Sequence, residues 1–128
     1  MQYPELLRRV EEQIATAHPD DDTRRAAEVA ITATLETLNE RLTGGEAEDL
    51  AAQLPKEVQP ALRPKTEEAE AFSLEEFYRR VAEREGVDIE TARIDAEAVM
   101  RTLREAVTPG ELDDVLAQLP AEFNMLLR

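Results

Sequence analysis

The chain has no cysteine and no tryptophan, and its 128 residues include only two tyrosines, three phenylalanines and one histidine. Without cysteine there is no disulfide framework, no thiolate nucleophile and no sulfur-ligated metal site. No apolar run approaches the roughly 20 residues of a membrane-spanning helix. The start, MQYPELLRRVEEQ, lacks the apolar stretch of a signal peptide. These absences lead to the expectation of a cytoplasmic protein with no membrane association. Lysine is scarce too: Lys56 and Lys65 stand against thirteen arginines.

Against those 15 basic residues stand 29 acidic ones, a formal charge of −14. Such a field repels nucleic acid phosphates and anionic lipid surfaces, so nucleic acid is excluded as an expected partner. The acidic excess with little lysine suits a GC-rich genome or a high-salt cytoplasm, where salt screens the repulsion between carboxylates. Halophily is therefore one reading, and a solvated acidic surface is the plainer one.

Alternation at period two is also missing, which removes the usual mark of a half-buried strand. Helix signals fill the space. Ile31, Leu35, Leu38 and Leu42 recur at spacings of four, three and four, and Ala92, Ala96, Val99, Met100, Leu103 and Val107 form a second such stripe. The expected class is all-α, in one domain over 1–128, with a compact bundle of about eight helices, four of them short. The helices are expected over 4–17, 23–42, 45–53 and 55–62, then 74–85, 89–107, 109–118 and 121–127. Leu35, Leu38, Leu54, Val58, Met100, Leu103, Leu119 and Phe123 are the expected core.

The two sets of four reflect a repeat. TGGEAEDLAAQLP at 43–55 returns as TPGELDDVLAQLP at 108–120, an offset of 65 that also pairs Leu38 with Leu103, Val58 with Phe123 and Arg63 with Arg128. ELLRRVEE from Glu5 matches EFYRRVAE from Glu76 at an offset of 71, so the first copy carries about six extra residues near His18. The copies are expected to be pseudo-symmetric halves, 1–64 and 72–128, joined by a polar linker or frayed helix extension at 65–71.

Most of the repeated phrase has a structural job. Thr43 with Glu46, and Thr108 with Glu111, have the spacing of a capping box, as do Ser73 and Glu76, with Phe72 and Phe77 placed for a hydrophobic staple. Gly44 can end the preceding helix in the left-handed conformation, whereas Pro109 suits a first helical turn. Pro55 and Pro120 stop one helix and can start another. Glu46, Asp49, Glu111 and Asp114 could pair as carboxylates, although acids in a first turn are more often dipole partners. Gln53 and Gln118 read as buried glutamines capping a neighbouring helix end, or else as polar partner or ligand contacts.

RRV in a first helix, a long alanine-rich second helix, a Gly-Glu turn, an acidic pair and AQLP, written twice, resemble the bacterial and archaeal family of domain of unknown function 2267. The resemblance spans essentially the whole chain. It implies a compact all-helical fold of two related halves and no established activity, cofactor or catalytic residue.

Candidate chemistry is correspondingly thin. His18, the one histidine, lies in AHPDDD, the stretch that the second copy lacks; with Asp20, Asp21 and Asp22 it is a weak oxygen-rich cation candidate, set against an exposed, helix-capping acidic loop. The arginine pairs 8–9, 24–25 and 79–80 read as salt-bridged surface, with Arg8 and Arg79 as candidate contacts for an anionic partner. No catalytic residue and no cofactor are assigned, and the sequence leans away from an enzyme. The leading expectation is a non-enzymatic interaction or accessory module, with stress physiology as one setting, whose helical surface engages another protein. The alternative is a small-ligand or cation-binding protein using a pocket between the halves or the His18 loop.

Overall fold

A computed structural model describes residues 1–64 and 68–127. Six α-helices run in chain order: α1 Tyr3–Ile14, α2 Thr23–Arg41, α3 Gly44–Ala52, α4 Leu74–Glu85, α5 Ile89–Ala106 and α6 Pro109–Ala117. Three 3-10 segments accompany them, at Ala15–Ala17, Gln59–Leu62 and Ala121–Leu127, and no strand occurs among the described residues. No helix there is long and apolar enough to cross a membrane. The short helix expected over 55–62 is thus only a 3-10 segment after a turn, and the one expected over 121–127 is 3-10 throughout. The first begins four residues after Pro55 and the second directly after Pro120, and each closes tight i→i+3 bonds, such as Ala61 N–H to Val58 O and Phe123 N–H to Pro120 O.

The helix starts are fixed by side-chain oxygens. Asp22 accepts from the amides of Arg24 and Arg25, Thr43 from Glu46, Ser73 from Glu76, Asp88 from Thr91 and Thr108 from Glu111. The left-handed stop lies elsewhere than expected. Gly44 is the first residue of α3, and Gly86, with φ 72°, closes α4. The chain passes from α2 into α3 through extended Leu42 and Thr43, which require no positive φ.

One continuous apolar core draws on all six helices, and every expected core residue is buried in it. Phe77 is fully buried and meets Phe123 edge to face at 5.7 Å. Phe72 is not the staple partner imagined from spacing: its ring carries the Arg80 guanidinium at 4.0 Å from the centroid. Residues 68–72 precede α4 without helix, tied down by Glu70 N–H to Glu40 O. Residues 65–67 of the expected linker, and Arg128 of the repeat pairing, lie outside the described residues.

The two glutamines of the repeat cap helices, each in the other copy. Gln118 accepts the Thr43 amide at 2.9 Å and donates to Thr43 Oγ1 at 3.1 Å. Gln53 accepts the Thr108 amide at 2.8 Å and donates to Thr108 Oγ1 at 3.3 Å. Gln53 is exposed and Gln118 half-buried, so the expected burial is corrected. A capping role needs only the amide's reach, and water can cover the rest of the side chain. Replacing either glutamine by alanine should cost about 0.5–1.5 kcal/mol, the usual net worth of such hydrogen bonds, in a denaturant melt. A glutamine serving only an external ligand would leave the melt unchanged.

Candidate metal centre

His18 ends the short 3-10 segment after α1, and the loop that follows turns it inward. It is only 6% exposed, which corrects the expectation of an exposed loop. Its Nδ1 lies 2.8 Å from Asp21 Oδ2, and its Nε2 lies 2.8 and 3.0 Å from the two carboxylate oxygens of Asp95. Asp95 is fully buried on α5. Glu85, the last residue of α4, completes the group: one ligand atom each from His18, Glu85 and Asp95 all lie within 4.8 Å of one another.

The electrostatics follow from burial. Desolvation alone would push the imidazole toward its neutral form, but the hydrogen bonds to Asp21 and Asp95 and the charges of both outweigh it, so the His18 pKa is raised. Burial, then the hydrogen bond and charge of Asp95, push the Glu85 carboxyl well above the usual carboxylate range. Glu85 Oε1 is buried with no donor, as expected where two carboxyl groups can bond only through a shared proton. A divalent cation bound by neutral imidazole and two carboxylates would leave the group neutral.

A cavity of about 210 Å³ opens onto the cluster, lined in part by His18, Asp21, Arg25, Val29, Glu85 and Val87. The geometry suits a cation reached from one side. Nε2 and two carboxylates would face it, while Asp21 holds Nδ1–H and so fixes tautomer and ring plane.

Of the acidic residues flagged in sequence beside His18, only Asp21 joins the cluster. Asp22 is spent as the cap of α2, and Asp20 is exposed. Arg8 and Arg79 sit on separate helices beside carboxylates of their own helices: Arg8 with Glu12 at 2.6 Å, and Arg79 with Glu76 and, at 3.5 Å, Glu75. Arg9 and Arg80 bond Glu5 and Glu76 on their own helices and also reach beyond them, to Glu105 and to Glu40 and Glu70.

Glu85 and Asp95 escaped the sequence reading, yet a signal was there. Asp95 falls three residues after Ala92 and four before Val99, inside the apolar stripe of α5, and Glu85 falls four after Val81 on α4. At the repeat offsets of 71 and 65 these positions correspond to Ile14 and Ala30, both buried apolar residues. The second copy therefore places two acids where the first has hydrocarbon, and the loop unique to the first copy delivers the histidine that meets them.

No curated protein matches the chain in sequence. A family model described as uncharacterized conserved protein (DUF2267) matches residues 3–126, nearly the full length, and the chain belongs to that family.

Proposed function

We propose that the protein binds a divalent transition-metal cation through His18 Nε2 and the carboxylates of Asp95 and Glu85, with Asp21 as the outer partner of the imidazole. The observation that carries this reading is the convergence of those three ligand atoms from three separate parts of the chain on one buried point beside a cavity. One nitrogen and two carboxylates suit Zn²⁺, Co²⁺, Mn²⁺ or Fe²⁺, and three protein ligands leave positions open for water or a small anion. Residues of both copies contribute, so we read the chain as one domain with this site at their junction.

Titration with Co²⁺ tests the proposal. Visible absorption of a low-symmetry site should grow to one equivalent and be displaced by Zn²⁺, and Asp21→Asn should weaken binding about 10–100-fold by loosening the imidazole. Absence of saturable Co²⁺ binding, or binding that Asp95→Asn leaves unchanged, would remove the reading.

The interaction-module reading has less to rest on. Among the described residues, the exposed large apolar side chains are Ile89 and Met125, which offer too little apolar surface to define a docking face.

A further inference from the structure

The glutamine caps have a second effect. In a capping box the glutamate at the third helical position reaches back to the amide of the capping threonine. Here the amides of Thr43 and Thr108 already donate to Gln118 and Gln53. Glu46 and Glu111 point instead toward each other, where α3 packs against α6. Both are at least nine-tenths buried, at 9% and 6% exposure, and each has a buried Oε1 that receives no hydrogen bond. A carboxylate oxygen of exposed Asp114 joins them, the three ligand atoms lying within 4.8 Å of one another. Asp49 holds the position of Asp114 in the other copy, and its charge also acts on Glu46.

We infer that Glu46, Glu111 and Asp114 hold a hard divalent cation of the Mg²⁺, Ca²⁺ and Mn²⁺ class at the contact between α3 and α6. The donor set is oxygen throughout, which selects this class over the borderline cations suited to His18. The Oε1 atoms of two buried glutamates receive no hydrogen bond, which favours a positive partner, and the interactions acting on Glu46 come from burial, then the hydrogen bond and charge of Glu111, then the charges of Asp114 and Asp49, every one of them unfavourable to its charge. A shared proton is the simplest alternative. It makes one bond between the glutamates, leaving their other lone pairs and the two aspartate charges unmet. A dication answers several of these oxygens at once, and the exposed aspartate leaves a side open for its waters.

The test is a thermal melt of the full chain with Mn²⁺, Ca²⁺ or Mg²⁺ against choline chloride at matched ionic strength, because a chain of charge −14 gains from screening alone. It is run in the wild-type and Asp95→Asn backgrounds, so that the His18 cluster is silenced in one arm. At saturation a divalent cation should raise the midpoint by about 5 °C beyond the salt control in both backgrounds. In the Asp95→Asn background the double substitution Glu46→Gln with Glu111→Gln should retain the helical circular dichroism and abolish that increment, since two facing amides can bond each other but hold a dication poorly. Exposed Asp114→Asn, which leaves the buried pair untouched, should in the same background weaken Mn²⁺ binding about tenfold by calorimetry. An increment equal to the salt control, or one that survives both sets of substitutions, overturns the assignment and leaves a proton-sharing pair.

Discussion

Phe77→Ala should lower the free energy of unfolding by about 3–5 kcal/mol, the range for removing a buried aromatic ring from a packed core. Phe77 is fully buried and sits edge to face with Tyr78 at 6.3 Å and Phe123 at 5.7 Å. Its removal therefore takes away both transfer free energy and two ring contacts. Phe123 in turn lies under the Arg41 guanidinium at 5.5 Å and belongs to the carboxy-terminal 3-10 segment, whose regular structure is only seven residues long. Local propensity cannot hold such a segment, so its order depends on the ring it packs against. A denaturant melt of Phe77→Ala should show the loss, and hydrogen exchange should show the amides of 121–127 opening first. A loss below about 1 kcal/mol would mean that the core can collapse around the missing ring.

Asp95→Asn should separate two roles that burial alone would confuse. Asparagine keeps the size of aspartate and can still present an oxygen to His18 Nε2, while its amide can donate to Glu85, so unfolding free energy without cation should change by no more than about 1–2 kcal/mol. Cation affinity should fall by about 100-fold or more, because a neutral amide oxygen replaces a fully buried anionic ligand. Calorimetric titration with Zn²⁺ beside a melt of the apo protein measures both quantities. A purely structural His18–Asp95 ion pair predicts the reverse pattern, with the melt disturbed and no saturable cation binding to lose.

The helical class, the helix order and the apolar core were legible because they rest on local periodicity and on capping residues that sit next to what they cap. Ser73, Asp88 and Thr108 all act on amides within three residues of themselves. The centre around His18 was half legible. The histidine stood out as single and as part of the unrepeated stretch, but its partner on α5 lies 77 residues away, and no spacing rule links them. An acid inside an apolar helical stripe was the available clue, since a carboxylate is buried only with a partner. The same distance hid the glutamines: their side chains bond threonines in the other copy, so the sequence showed residues of a capping type without showing what they cap.

Those glutamine caps also bear on the order in which the chain folds. The first joins residues 75 apart and the second joins residues 55 apart. A helix capped from its own flank can form as soon as its segment collapses, whereas α3 and α6 lack their last cap until residues 43–53 and 108–118 have met. Closing loops of that size carries an entropy cost before any contact returns it, so these caps form only once long-range pairing has brought the two segments together. Anything seated between α3 and α6 would add a tie across that same long loop, a latch that can close only after the loop has.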